Sequence, residues 1–416
     1  MEEDIKASLN PLNKIAEERL DKAIEEATQI LNYEAAHDIQ LIQALEIVKK
    51  FICKNKFVCY GGTAMNALLP KKDKFYDPEY DLPDYDFFTP DASSAIKELV
   101  KDLKSAGFRN IYEKMGIHEG THKVLVNYVA IADITQIHKD NYKIIFDNSK
   151  KVDNIYYANE NILRMMMCLE LSRPRGEVER WKKVYQRLEL INKYFPIPVC
   201  KKKHLKKEIK NEIREIIYDY AINNERVIAN IELEAIYKKS LTSKSVVFKT
   251  VTGGNIVFFS PDLKKDTEDI KRILPNVKVV YHPEKGDFLS RRVSLVYEGK
   301  PLVLLVEQTA CHSYNNIKTE KGHIAHIASL ETLITLHYSL YFFSKSEKTY
   351  LCDISKCIKT FIELSTSTIS QFDAFPVLCS GYQKGYPTLL REKLARKQVR
   401  SMKQIKKKNS TLKKNG

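Results

Sequence analysis

The sequence predicts an α/β (α+β) protein: a helical N-terminal region, then an α/β unit, a helical segment and a second, related α/β unit. Three observations predict this. Apolar residues recur at helical spacing through "AIEEATQILNYEAAHDIQLIQALEIVKKFI", with no proline or glycine to interrupt them. From residue 56 onward, short β-branched and aromatic runs alternate with amphipathic stretches, as strands alternating with helices do. Finally, "DYDFFTPD" at 84–91 is echoed by "NIVFFSPD" at 255–262. Each copy is followed by a charged helix and then by apolar strands, ending in "VAIADITQIH" and "LVLLVEQTACH". Agreement in order and spacing points to a duplicated unit.

Taken in order, residues 1–55 form the helical N-terminal region and 56–150 the first α/β unit. In that unit "KFVCY" reads as a strand entering "GGTAMNALL", a helix start. "DYDFF" is a second strand, and "ASSAIKELVKDLKSAG" is a helix closed by Gly107. "NIYEKMGI" and "KVLVNYVAIADIT" supply further strands around the turn "HEGTH". Residues 151–241 are helical with a break at "SRPRG", 242–390 make the second unit, and 391–416 are a basic, mobile tail. In the second unit Asn255 and Val257 replace Asp84 and Asp86, and Glu307 stands near the place of Asp133.

The 416 residues carry a net charge of +15, and the stretch from Arg391 to Gly416 supplies +10 of it. Such a tail attracts polyanions such as nucleic acid. No apolar run is long enough to span a membrane, and the acidic start "MEEDIKASLN" lacks the apolar core of a secretory signal. The eight cysteines are scattered with no CxxC pair, which fits reduced thiols of an intracellular protein.

The chemistry gathers in the first unit. Asp84 and Asp86 lie one residue apart beside Phe87 and Phe88, so a strand would point both carboxylates to one face. Like charges there repel unless a cation sits between them. Asp133 is a third acid, alone on an apolar strand between Ala132 and Ile134, where a carboxylate is costly unless paired or metal-bound. Tyr60-Gly61-Gly62-Thr63 lies between a strand and a helix, where backbone N–H groups and the helix N-terminus favour phosphate. Two Mg²⁺ ions, or Mn²⁺, on the three acids and a triphosphate on Gly61, Gly62 and Thr63 account for the set. In "EVERWKKVYQRLELINKYF" the basic residues are suited to a triphosphate or an RNA strand, while Trp181 either packs in the core or stacks on a base.

These elements resemble the nucleotidyltransferase superfamily that contains DNA polymerase beta, whose pattern is hG[GS], then [DE]h[DE]h, then a distal h[DE]h. Here the matches are Tyr60-Gly61-Gly62, Asp84-Tyr85-Asp86-Phe87 and Ala132-Asp133-Ile134. The insert "KKDKFYDPEYDLP" lengthens the usual gap before Asp84. "YGGTAMNALLP", "PDYDFFTPD" and "ANENILRMMMCLELSRPRGEVERWKKVYQRLELINKYFP" are similar to the viral poly(A) polymerase catalytic subunits of poxviruses and nucleocytoplasmic giant viruses. The resemblance implies a polymerase-beta-like catalytic domain followed by a degenerate copy. It also implies a polynucleotide adenylyltransferase that adds AMP from ATP to RNA 3′ ends with two metal ions. Asp84, Asp86 and Asp133 would be the catalytic, metal-binding acids. Gly61, Gly62 and Thr63 would hold phosphates, and Lys182 and Tyr185 would contact the incoming nucleotide. Expected partners are a single-stranded RNA 3′ end, ATP, and either a second copy or a cap-methyltransferase-type processivity subunit, in the host cytoplasm or the virion. Transfer of another nucleotide, such as UMP, and a non-catalytic RNA-binding subunit are the alternatives.

Overall fold

The computed structural model describes residues 14–116, 120–198, 210–251, 253–286, 288–344 and 349–383, with positions 388 and 391. The expected basic tail, beyond residue 391, and the first 13 residues lie outside the described residues. The chain divides into two compact units. The first takes the residues up to Lys114, 122–135 and 151–157; the second takes 115–121, 136–150 and the residues from Ala158 onward.

In the first unit the long apolar periodicity resolves into two helices, α1 (Lys14–Ala36) and α2 (Ile39–Asn55). Asp38 separates them because its side chain caps α2, accepting from Gln40 N at 2.8 Å and Leu41 N at 3.1 Å. α2 buries Leu41, Ala44, Leu45, Val48, Phe51 and Ile52, a stripe at helical spacing. Then follow β1 (Val58–Cys59), α3 (Gly61–Leu68), β2 (Asp86–Thr89), α4 (Ala92–Ser105), β3 (Ile111–Met115), β4 (Thr121–Val126) and β5 (Val129–Gln136). After α5 (Lys139–Asp147), which belongs to the second unit, come β6 (Lys150–Val152) and β7 (Ile155–Tyr157). The seven strands form one sheet in the order β3-β4-β5-β2-β1-β7-β6. β2 is central, and its successive Phe87 and Phe88 are both buried, one on each face of the sheet. Burying each contributes about 1.5–3 kcal/mol relative to exposure, so β2 is a firm base for Asp86.

The apolar run "KVLVNYVAIADIT" is a hairpin, with its turn at Asn127 (φ 49°) and Tyr128 (φ 68°). Two consecutive left-handed residues match the right-handed twist of the flanking strands. The insert before Asp84 folds on α3: Asn66 Oδ1 accepts from Phe75 N at 2.8 Å and Tyr76 N at 3.2 Å.

The second unit continues with α6 (Glu160–Leu171), α7 (Trp181–Tyr194), α8 (Asn211–Asn223), β8 (Val227–Ile228) and α9 (Glu234–Ser240). Next are β9 (Ile256–Ser260), α10 (Leu263–Ile273), β10 (Lys278–His282), β11 (Arg292–Tyr297), β12 (Lys300–Glu307), β13 (His312–Lys318) and β14 (Ile324–Ala328). Helices α11 (Leu330–Phe343) and α12 (Leu351–Ser365) and strand β15 (Cys379–Ser380) complete it. Its sheet runs β10-β11-β12-β9-β8-β14-β13-β15. Advancing every strand number of the first sheet by seven reproduces this order, with β15 added at the edge. The pairing senses agree too. β1 is antiparallel to β2 and parallel to β7, as β8 is to β9 and β14. Asp91 and Asp262 cap the corresponding helices α4 and α10. The echo in the sequence is therefore a repeated topology. It begins at β8, earlier than "NIVFFSPD", and the first sheet runs on to Tyr157. Residues 151–241 are thus not wholly helical: they hold β7 and β8 as well as helices α6 to α9.

The expectation that the cysteines are reduced thiols is overturned for Cys311 and Cys379. β15 pairs with β13, Ser313 opposite Cys379, and this brings Cys311 and Cys379 to a Cα separation of 5.4 Å, where they form a disulfide. The partners lie 68 residues apart, so no local cysteine spacing announces them. Cys53, Cys59, Cys168 and Cys357 are free thiols.

Candidate active site

β1 delivers the chain to Tyr60, whose N–H donates to Asp86 O at 2.9 Å and so ties the start of α3 to the start of β2. The Tyr60 ring stacks on Phe88 at 4.1 Å, and its hydroxyl pairs with Thr135 Oγ1 at 2.7 Å. Burial, reinforced by the charge of Asp86, pushes the phenol far above its ordinary range and keeps it neutral. Gly61 follows with φ +70°, and a Cβ there would lie 2.4 Å from Asp86 Oδ2. Only glycine lets the helix start against that carboxylate. Gly62 is buried in the first turn of α3. The Thr63 hydroxyl donates to Asp84 O at 2.6 Å, so Thr63 anchors the acid-bearing segment.

The strand expected over "DYDFF" begins only at Asp86. Asp84 precedes it on a bent segment, where Asp86 N donates to Asp84 O at 3.2 Å. Strand alternation therefore does not fix the relation of the two carboxylates, which depends on this bend and on Thr63. Asp133 sits on β5 beside β2, its N–H donating to Tyr85 O at 3.0 Å. Its Oδ2 accepts from Lys123 Nζ on β4 at 2.5 Å. Sequence reading missed Lys123. Burial works against its ammonium, but the hydrogen bond and charge of Asp133, with the charges of Asp84 and Asp86, outweigh that. Lys123 is held above the ordinary lysine range. All three acids act on Tyr60 and on Lys123, so they converge on one place in the first unit.

The donor set suits a hard divalent cation, since carboxylate oxygens are the ligands such ions take. The close approach of Gly61 to Asp86 keeps that acid beside the helix N-terminus. Among the described residues, no three of the His, Cys, Asp and Glu side chains form a ready-made ligand group. The present partner of Asp133 is Lys123.

Lys182 and Tyr185 lie on α7, in the second unit. Lys182 is exposed. The Tyr185 hydroxyl pairs with Ser365 at 2.7 Å, and its ring packs edge-on against Phe361 and Phe375. Trp181 donates from Nε1 to Glu170 O at 3.2 Å.

The second sheet shows what happens to the same framework without the acids. Ala229 N donates to Val257 O at 2.7 Å, as Tyr60 N does to Asp86 O, so Asn230 occupies the place of Gly61. Asn230 is wholly buried. Its Nδ2 donates to Asn255 O at 2.7 Å and its Oδ1 accepts from Val257 N at 3.1 Å. The side chain fills the ground that Gly61 leaves to Asp86, and it grips the carbonyl equivalent to the one Thr63 holds. The expectation for Glu307 also needs correcting. Gln308 N donates to Ser260 O, and Glu307 pairs with Ser260, the counterpart of Thr89. The counterpart of Asp133 is Leu304, opposite Val257 and buried. Glu307 is three positions further on, facing the other side of the sheet, in a two-point ion pair with Arg291.

Residues 46–177 match the model of a family described as poly(A) polymerase catalytic subunit. This span holds Gly61, Gly62, Thr63 and the three acids, and stops short of Lys182 and Tyr185. A protein of African swine fever virus (isolate Tick/Malawi/Lil 20-1/1983), provisionally named a poly(A) polymerase catalytic subunit, is 33% identical over 175 residues. That alignment covers 39% of this chain and 35% of the viral protein. A protein of Acanthamoeba polyphaga mimivirus with the same provisional name is 26% identical over 228 residues, covering 51% of this chain and 38% of its own. The chain thus spans little more than a third of the length of the curated relatives it matches. The crystal structure of the Megavirus polyadenylate synthase superposes with a TM-score of 0.74 at 20% identity, over 94% of this chain and 85% of that one. Over residues 46–177 the chain carries the sequence pattern of the poly(A) polymerase catalytic subunit family, and over nearly its whole length its fold is similar to that of a viral polyadenylate synthase.

Proposed function

We propose that the chain is a template-independent poly(A) polymerase that transfers AMP from ATP to an RNA 3′-hydroxyl and releases pyrophosphate. The observation that carries this reading is the convergence of Asp84, Asp86 and Asp133 beside a glycine-started helix, inside the span that matches the family. Asp84 and Asp86 would hold two Mg²⁺ or Mn²⁺ ions, with Asp133 completing the site near the 3′-hydroxyl. When bound, such ions neutralise the carboxylates and stabilise the charge that develops on the attacking and leaving oxygens. The chain's own residues do the rest. The N–H groups that open α3 at Gly61 and Gly62 face the triphosphate, and the helix N-terminus adds favourable charge. Thr63 fixes Asp84 through its carbonyl, and Tyr60 locks the turn to β2. Lys182 and Tyr185 are proposed nucleotide contacts. Single-stranded RNA is the proposed acceptor. The family's description as a catalytic subunit favours a partner, either a second copy or a cap-methyltransferase-type subunit. The place of action is proposed to be the cytoplasm of an infected cell or the virion. Among the described residues, no helix is long and apolar enough to cross a membrane.

The test is extension of a labelled oligoribonucleotide with each nucleoside triphosphate supplied singly. ATP should be incorporated only with a divalent cation. Asp84→Ala, Asp133→Ala and Asp86→Asn should each lose several orders of magnitude while remaining folded. Glu307→Gln, with its charge on the far face of the second sheet, should extend at nearly the wild-type rate. Normal extension by any of the three Asp variants would overturn the site. Incorporation of UTP in preference to ATP would overturn the nucleotide assignment.

A further inference from the structure

Gln136 N donates to Gly120 O, which pairs these residues across the β4–β5 hairpin. Counting three residues inward on each strand sets Lys123 opposite Asp133. Cross-strand neighbours of opposite charge at such a position interact directly. Exposed ion pairs contribute little. This one differs because the Asp133 side chain is only 14% exposed and two further carboxylates act on the same ammonium. Lys123 supplies a counter-charge to this largely buried carboxylate.

The contact has two consequences for a cation arriving at Asp133. One carboxylate oxygen, Oδ2, is already committed, so the group cannot turn to offer both oxygens. The ammonium also lowers the negative potential that draws the cation in. The first effect favours orientation, and the second opposes affinity. We propose that Lys123 is a positioning residue that holds Asp133 with one oxygen reserved for the bound cation, and that it weakens divalent-cation binding in doing so. This rests on the polymerase reading of the three acids. A unit charge about 6 Å from a divalent ion, screened almost as in water, changes affinity about tenfold. Misplacing a reacting group by ~1 Å costs up to about a hundredfold in rate.

The test measures Mn²⁺ binding to the full chain, without RNA or ATP, from the electron paramagnetic resonance signal of the free ion. Wild type, Lys123→Met, Lys123→Gln, Lys123→Arg and Asp84→Ala are compared, with single-turnover extension at saturating Mn²⁺ as the second readout. Lys123→Met and Lys123→Gln should bind Mn²⁺ about tenfold more tightly yet extend at least about tenfold more slowly. Lys123→Arg keeps the charge and the reach, so it should restore both values. The Lys123 side chain is 36% exposed, so the glutamine variant leaves a polar end at the surface if methionine harms folding. A pair with only a structural role would lower the melting temperature and leave affinity and saturated rate unchanged. That result, with Mn²⁺ binding lost in Asp84→Ala, would overturn this inference alone. Equal Mn²⁺ binding by wild type and Asp84→Ala would overturn the reading of the acids and this inference with it.

Discussion

Gly61 is where a single atom decides the site. Its φ of +70° is a conformation that costs an alanine about 1–2 kcal/mol. The added Cβ would also meet Asp86 Oδ2 at 2.4 Å, so either the helix start or the carboxylate must move. Gly61→Ala should therefore melt a few degrees lower and, if Asp86 holds the metal as proposed, extend RNA about a hundredfold more slowly. Thermal melts and single-turnover rates check this, and a wild-type rate in a folded variant would refute the close approach. The second unit supports the argument, because Asn230 is accommodated at the equivalent position where Val257 replaces the acid. At this scale the sequence was informative wherever a residue contradicted its surroundings, as Asp133 does on an apolar strand. It was silent on Lys123, since a lysine on a half-exposed strand is ordinary and its partner depends on hairpin register. It also misplaced the counterpart of Asp133. Glu307 is the nearby acid in the sequence, but strand pairing aligns Leu304 instead.

Whole elements were legible where periodicity or capping marked them. α4 and α10 begin after aspartates that cap them, as the repeated "PD" suggests. β8, a two-residue strand inside a span read as helical, went unseen. The β4–β5 turn was hidden in an apolar run, because Asn127-Tyr128 lacks the glycine that usually marks such turns. α11 carries a consequence its sequence does not suggest. It is apolar nearly all round, and Glu331 in its first turn is wholly buried. The helix N-terminus favours a negative charge there. Burial is the stronger influence and pushes the carboxyl from its usual 4.5 up to about 8. The folded protein thus binds a proton that the unfolded chain releases. The associated stability is full below pH 4.5, declines as pH rises between the two values and is lost once it passes about 8. The loss is on the order of a few kcal/mol. Melting temperature should accordingly fall between pH 5 and 8.5. Glu331→Gln, which cannot ionise, should flatten that profile and melt higher at the alkaline end. Parallel profiles for the two proteins would show that Glu331 is ionised in the fold.

Over the whole molecule, two sheets of one topology have diverged to a site with three acids and a site closed by Asn230. The echo of "FF[ST]PD" made the repeat visible in the sequence. Its true extent was not visible, because equivalence between β1 and β8 rests on pairing partners and not on residue identity. The charge is as unevenly shared as the chemistry, with +10 of the +15 lying between Arg391 and Gly416. None of the proposed catalytic acids lies in that tail, so affinity for RNA and the chemical step should be separable. Each phosphate neutralised on a single strand releases counterions and adds about 0.7 to the slope of log K against log salt. Removing residues 392–416 takes away ten of the lysines and arginines in that tail. If only three of them touch phosphates, the slope should fall by about 2. RNA affinity should drop most at low salt and converge with wild type at high salt. The single-turnover rate at saturating RNA and ATP should stay within about twofold, because the acids, α3 and Lys123 are untouched. Filter binding across a salt series and rapid-quench extension measure the two quantities independently. An unchanged slope would mean that the tail contacts no RNA and that the nucleic-acid surface belongs to the body of the protein. A lost rate at saturation would mean that the tail takes part in the chemistry.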